Sequence, residues 1–333
     1  MTSWNNFIDV LVSVVIPAFN EAEGIGHAIG EIQRVMDKSG VRYELIVVDD
    51  GSQDGTFETV RNLGRSNKKL KGMKLSRNFG KEAALLAGLE AAGGDAVITM
   101  DADLQHPPGL IPEMLAKWKE GFKVVHGRKR DRVSDNMLVR WRASAFNYML
   151  SRLGGIDVQH SSDFKLLDRV VVDVIIRQLP EKRRFFRGLA GWVGFEQTEI
   201  PFSVVARKAG NGKWSMAALF ELAATALVSF TTAPLRIVSV LGLVTLAFGM
   251  VVAADTLWSW FKGEAVSGYS TIIITLLILG SFIMISLGIV GEYIAKMYEE
   301  IKGRPPYLIT ARYGFKEDQA AAGDKFCAGE KMR

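Results

Sequence analysis

The sequence has one cysteine, Cys327, and four histidines in 333 residues. A disulfide framework is therefore excluded, as is every zinc or iron–sulfur site that needs several thiolates. The histidines are scattered and form no His-rich metal site. Proline is scarce as well, with nine residues, and 48% hydrophobic against 23% charged residues is the composition of neither a disordered nor a low-complexity chain. A Walker-type phosphate loop is missing: Gly210-Asn211-Gly212-Lys213 lacks the spacing, and its Lys is followed by Trp214. No GxGxxG fingerprint follows the first predicted strand. These two absences count against an NTPase and a dehydrogenase. Met1 to Val10 has no basic stretch followed by an apolar core, so no cleaved secretion signal is expected. Acidic residues are outnumbered, 36 against 41 Lys and Arg, and a net charge of +5 points to anionic partners: nucleic acid, a phospholipid surface or a phosphorylated substrate. The length suits two average domains, or one large α/β domain with something smaller.

Charge is also absent locally. No residue is charged from Ile237 to Ala254, nor from Thr271 to Gly291. About 20 apolar residues span the hydrocarbon layer as a helix, so two transmembrane helices are predicted, over 236–261 and 271–293. The short join, Lys262 to Ser270, makes them a hairpin. Arg207, Lys208, Lys213 and Arg236 precede it and Lys296, Lys302, Arg304 and Arg312 follow it, whereas the join has Lys262 opposed by Glu264. By the positive-inside rule both chain ends, including a tail over 294–333, are expected in the cytoplasm. Residues 213–235 carry Glu221 and end near Pro234; their uncharged part is short for a span and suits an interfacial helix. Met137 to Leu153, with Leu138, Trp141, Ala145 and Tyr148 at helical spacing among arginines, is a second candidate for the headgroup region.

Residues 1–212 read differently. Leu11 to Ile16 is an apolar run of strand type closed by Pro17, and Ala22 to Lys38 has apolar residues on one helical face. A strand over Tyr43 to Val48, a helix over Thr56 to Leu63, a strand over Met73 to Leu75, a helix over Lys81 to Ala92 and a strand over Ala96 to Met100 follow. Such alternation predicts crossover units and a mostly parallel sheet. Ligands of these sheets bind beyond the carboxyl ends of the strands. Pro17 to Glu21, Asp49 to Ser52 and Asp101 to Gln105 all fall at that edge.

Asp101-Ala102-Asp103 follows a buried strand, so its alternate carboxylates suit one hard cation, Mg²⁺ or Mn²⁺, clamped onto a diphosphate. Gln105 is a further oxygen donor, and His106, followed by Pro107 and Pro108, reads as a turn rather than a ligand. Asp49 and Asp50 fit either a strand exit with a helix cap or an acceptor for a base or sugar. Arg77 and Lys81, around Gly80 and before a helix, make a phosphate environment.

Taken in order, these stretches resemble one family. Val14-Val15-Ile16-Pro17-Ala18-Phe19-Asn20-Glu21, Val47-Val48-Asp49-Asp50-Gly51-Ser52, Ser76-Arg77-Asn78-Phe79-Gly80-Lys81 and Asp101-Ala102-Asp103-Leu104-Gln105-His106-Pro107 are similar to the polyisoprenyl-phosphate glycosyltransferases of glycosyltransferase family 2. That branch includes dolichol-phosphate mannose synthases and bactoprenol glucosyltransferases. Asp163-Phe164-Lys165-Leu166, Arg184-Phe185-Phe186-Arg187-Gly188 and the two apolar spans extend the resemblance to about Pro306. It implies a glycosyltransferase A-type, Rossmann-like α/β domain and a cytoplasmic site at the bacterial inner membrane. The implied donor is a nucleoside-diphosphate sugar, with UDP-glucose the default, and the implied acceptor is a polyisoprenyl phosphate such as undecaprenyl phosphate. By position, Pro17, Phe19, Glu21 and Asp50 would hold base and ribose, and Asp101, Asp103 and Gln105 the metal. Arg128 would hold the acceptor phosphate, with Arg140 beside it, while Lys208 and Lys213 resemble a mobile loop over the donor. Lys165 departs from the family, which usually has Arg there. Asp157 and Asp163 are candidates for a base or for orienting the acceptor. A homo-oligomer, a flippase partner and a place in cell-envelope glycan synthesis are family-level expectations.

The rival readings have weaker support. A processive polysaccharide synthase would carry Gln-x-x-Arg-Trp, but Met137 stands at the Gln position before Arg140-Trp141. An inactive binding protein would have lost the metal carboxylates, which are retained. A nucleic-acid binder would show a recognition motif, and its basic residues would not cluster beside membrane segments.

Overall fold

The structure is a computed structural model and describes residues 10–129, 161–179, 181, 186–202, 233–263 and 268–315. The described residues fall into two compact units, one holding a sheet with its helices and including residues from 305 onward, the other holding the long helices between 233 and 304.

Val12, Val14, Val15 and Ile16 are apolar and β-branched, which suits a strand covered on both faces, and they lie fully buried with Ser13 within β1 (Leu11–Ala18). α1 (Ile25–Ser39) buries Ile25, Ala28, Ile29, Ile32 and Met36, a single stripe at helical spacing. The unit repeats as β2 (Arg42–Asp49), α2 (Thr56–Gly64), β3 (Leu70–Leu75), α3 (Lys81–Ala91) and β4 (Ala96–Thr99). α3 has almost no polar face, because Ala84 to Leu89 are all buried between the sheet and its neighbours. Then come α4 (Ile111–Lys119), β5 (Val124–Lys129), β6 (Ser161–Asp168), α5 (Arg169–Arg177), α6 (Phe186–Trp192) and β7 (Gln197–Phe202). After two long helices, α7 (Ala233–Phe261) and α8 (Tyr269–Ile301), the chain forms β8 (Ile309–Tyr313).

The strands form one sheet in the order β7-β5-β6-β4-β1-β2-β3-β8. β4, β1, β2 and β3 are parallel, as the alternation predicts. The flanks differ: β6 is antiparallel to both β4 and β5, and β8 is antiparallel to β3. On one face Val14, Ile16, Leu45 and Ile98 pack with α1 and α4; on the other Val15, Ile46, Met73 and Val97 pack with α3, α5 and α6. Pro17 stands opposite Val48, Ala18 opposite Asp49 and Val15 opposite Thr99, so β1, β2 and β4 end close to one level. That shared edge positions the site.

In the second unit Val238–Phe261 and Ile274–Ile301 have mean hydropathies of 2.0 and 2.4 with no residue buried, and both are long and apolar enough to cross a membrane. Leu243, Leu246, Leu276 and Ile283 are exposed on them, which suits a lipid solvent rather than water. The hydroxyls of Thr245, Thr256 and Ser281 donate to the carbonyls of Leu241, Val252 and Leu277, each at 2.8 Å, so they need no external partner. α7 begins three residues before the predicted span, with Pro234 in its first turn where a missing N–H costs nothing. α8 continues eight residues past the predicted end at 293. The candidate interfacial segments 137–153 and 213–232 lie outside the described residues.

Candidate active site

Three strand exits build a cleft of about 320 Å³ at the carboxyl edge. From β1 come Pro17, Phe19 and Glu21, from the turn after β2 comes Asp50, and beyond β4 come Asp101 and Asp103; Asn78, Gly80 and Lys81 close one side. The β1 exit is fixed by its backbone: Asn20 adopts a left-handed φ of 54, its N–H donates to Ser52 Oγ at 2.8 Å, and Glu21 N donates to Thr56 Oγ1 at 3.0 Å. Phe19, 44% exposed, presents a ring to the cleft as a stacking surface.

Asp49 and Asp50 have different tasks. Asp49 is fully buried and does not line the cleft; its Oδ1 accepts from Ser52 N at 2.9 Å and its Oδ2 lies 3.9 Å from Lys74 Nζ. Alternation along the strand turns it inward and leaves it to shape the turn. Asp50 accepts from Phe79 N at 2.8 Å and Gly80 N at 2.9 Å. Burial pushes its pKa up, against the lowering pull of those two N–H groups. Asp50 thus anchors the 76–80 loop as well as lining the cleft. Gly51 permits the close contact: at φ 72, a Cβ there would collide with the Arg77 backbone. Arg77 itself does not line the cleft; its guanidinium lies 4.2 Å from the Phe79 ring centroid.

Lys81 opens α3 and places Nζ 2.5 Å from Asp101 Oδ1 and 2.5 Å from Asp163 Oδ2. Burial pulls its pKa down, but Asp101 and Asp163 outweigh that and hold it above the ordinary lysine value. Asp163 is buried on β6, away from the cleft lining, and reaches Asp101 through this ammonium. Asp101 Oδ2 faces His106 Nδ1 at 3.8 Å. The buried His106 ring is stacked on Phe164 at 5.4 Å and meets Phe202 edge-on at 5.6 Å. Sequence reasoning gave His106 only a turn; Asp-Phe-Lys at 163–165 was visible, but not that its Phe backs the imidazole beside Asp101. Lys165 is fully buried, 5.7 Å from the Phe186 ring.

Asp103 Oδ1 accepts from Gln105 N at 3.1 Å, which turns the chain after the Asp-Ala-Asp step. Gln105 does not line the cleft. Two carboxylates at the cleft floor are hard oxygen donors and fit a divalent ion of Mg²⁺ or Mn²⁺ type. Among the described residues no three His, Cys, Asp or Glu side chains converge as a full ligand set. Arg128, on β5, is not among the residues that line the cleft and donates from Nη1 to Glu199 Oε2 at 3.0 Å, both side chains about half exposed. Glu199 is 71 residues distant in sequence, with no local signal tying it to Arg128. Asp157, Arg140, Lys208 and Lys213 lie outside the described residues.

A family model described as glycosyl transferase family 2 matches residues 13–182. The chain belongs to that family. A second model, described as the GtrB C-terminal hairpin, matches residues 233–297 of this glycosyltransferase. An uncharacterized glycosyltransferase of Synechocystis sp. is 38% identical over 92% of this chain and 96% of its own length. The bactoprenol glucosyl transferase of Shigella phage SfII is 35% identical over 90% of this chain and 97% of its own. A crystal structure of glucosyl-3-phosphoglycerate synthase from Mycobacterium tuberculosis, with Mn²⁺, UDP-glucose and phosphoglyceric acid, is 22% identical with a TM-score of 0.45, covering 66% of this chain and 78% of that one. The enzyme is thus a family 2 glycosyltransferase of A-type fold with two candidate membrane helices.

Proposed function

We propose that this glycosyltransferase moves a sugar, glucose by preference, from a UDP-sugar to a polyisoprenyl phosphate of undecaprenyl type. The transfer occurs at the cytoplasmic face of the bacterial inner membrane. The supporting observation is the union in one chain of a carboxylate-floored cleft and an apolar hairpin, in a sequence 35% identical over 90% of its length to a bactoprenol glucosyl transferase.

In this reading Phe19 stacks on the base, with Pro17, Glu21 and Asp50 around base and ribose. Asp101 and Asp103 would hold a divalent ion of Mg²⁺ or Mn²⁺ type. The ion, when bound, offsets charge growing on the departing nucleoside diphosphate. A lipid monophosphate has a second pKa near ~6 and is largely dianionic at neutral pH, so its oxygen attacks the anomeric carbon without a strong base. A single displacement inverts that centre. Asp163, held by Lys81, orients the groups around the attack line. Arg128 receives the acceptor phosphate, exchanging Glu199 for it. Pairing the chain with a homo-oligomer or a glycolipid flippase belongs to the same proposal.

The deciding experiment offers membranes containing the enzyme a panel of labelled UDP- and GDP-sugars and identifies the lipid product by mass spectrometry. A single-sugar polyisoprenyl phosphate made from UDP-glucose is expected. A growing polysaccharide, or label transfer to a soluble acceptor alone, would overturn the proposal.

A further inference from the structure

β8 comes from the far side of the membrane hairpin in sequence, yet it borders the strand that feeds the cleft. β3 delivers the chain into the 76–80 loop. Its outer edge pairs with β8 as Gly72↔Tyr313, Met73↔Arg312, Lys74↔Ala311 and Leu75↔Ile309, with the register shifting between Lys74 and Leu75, just before the loop. The hold extends past the ladder: Ser76 N donates to Leu308 O at 2.8 Å, and Thr310 Oγ1 donates to Lys74 O at 3.2 Å. The Tyr307 hydroxyl donates to Glu90 on α3. The Tyr313 ring covers Gly64 on α2, where any Cβ would collide with it. Tyr307 and Ile309 share a core with Phe79, the loop's own apolar residue. The 307–313 segment is therefore fastened to α2, β3 and α3 together. From its other side the loop is gripped by Asp50, through Phe79 N and Gly80 N, and by the Gly51 contact with Arg77.

We propose that β8 positions the donor loop, making the segment after the membrane hairpin a working part of the nucleotide site rather than a tail. Two clamps fix the loop, the Asp50–Gly51 turn and β8. With both in place, Phe79 and Gly80 amides meet Asp50, and Lys81, the next residue, enters α3 aimed at Asp101 and Asp163. Without β8, the end of β3 loses its outer hydrogen bonds and the loop keeps one anchor of two. The ligand named for the cleft rests on the function proposed above; the positioning does not.

The test compares the full chain with a chain stopped after Arg304, which keeps the hairpin, and with full-length Thr310→Pro, which cannot complete the ladder. Hydrogen exchange is followed over Ser76 to Lys81 and, as reference, over β1 and β4, with UDP affinity measured by calorimetry in detergent. Both variants should exchange the loop amides roughly tenfold faster while β1 and β4 stay protected, and should bind UDP about tenfold more weakly. Cysteines at Lys74 and Ala311, directly paired across the ladder, form a tether in a Cys327→Ser background. Combined with Thr310→Pro, the oxidised tether should restore loop protection and affinity, and reduction should remove both. Unchanged loop exchange, equal UDP affinity with and without β8, or equal loosening of β1 and β4 would each overturn the proposal. If the truncated chain loosens its loop but neither chain binds UDP, the donor assignment fails while the positioning stands.

Discussion

At the scale of single residues, the cleft is organised around Lys81. One ammonium touches two carboxylates, Asp101 and Asp163, each at 2.5 Å. Without it two partly desolvated anions would face each other and separate. Lys81→Met should lower kcat about a hundredfold while moving the donor KM much less, and Lys81→Arg should recover part of the loss; steady-state kinetics on both variants check this. Asp103 has a different role, as a cleft carboxylate suited to the ion. Asp103→Asn should cost roughly 10²–10³ in turnover, and titrating Mn²⁺ should not restore it; full activity of Asp103→Asn with metal chelated would refute the assignment. Arg128→Lys keeps the charge but loses the two-pronged fork that matches phosphate oxygens, so the acceptor KM should rise while calorimetric UDP affinity holds. The strand-exit residues Phe19, Asp50, Asp101 and Asp103 were legible in sequence because each sits one to three positions past an apolar run. Asp49's inward turn, His106 beside Asp101 and Glu199 on Arg128 were not, since each depends on which face or which distant strand a side chain meets.

Among elements, the β5–β7 pairing at the sheet's edge carries a titration. His126 on β5 lies 2.8 Å from Gln197 Oε1 on β7 and packs near the buried Lys165. Burial lowers its pKa to about 4, the Lys165 charge adds to this, and Gln197 and Glu199 oppose it. The unfolded chain has a histidine of about 6.5. A folded pKa below the unfolded one means the unfolded state takes the proton first, so stability is full above about 6.5 and falls as pH drops towards 4, by at most about 3 kcal/mol. The melting temperature of the full chain in detergent should therefore drop more between pH 7.5 and 5 than that of His126→Gln; identical drops would remove His126 as the cause. Elements joined by short crossovers, β1 to β4, were readable because apolar period and turn residues sit in one local window. β8 was not. Ile-Thr-Ala-Arg-Tyr alternates between partly buried and exposed positions, a weak edge pattern, and its partner β3 lies more than 230 residues earlier.

For the whole molecule, the sheet constrains the membrane topology more tightly than charge counting does. β7 ends at Phe202 before the hairpin and β8 begins at Ile309 after it, and both belong to one sheet. A sheet of soluble composition lies on one side of a bilayer, so the chain between Phe202 and Ile309 must cross an even number of times. The two candidate spans, α7 and α8, would supply two crossings. A lone third span over 213–235 would put β8 on the opposite side from β3, with which it pairs, and break the edge. The same conclusion follows from the cations flanking the hairpin, Arg236 before and Lys302 and Arg304 after, but the strand pairing reaches it independently of charge. Reporter fusions at Met1 and at Arg333 should both read cytoplasmic, and a tag inserted near Gly268, between α7 and α8, should read the far side. Neutralising Lys302 and Arg304 should leave the C-terminal reporter in place, because inverting that end alone would cost the whole β3–β8 ladder. A C-terminal signal from the far side in the unaltered chain would mean that β8 cannot pair with β3, and would refute the topology and the loop clamp together.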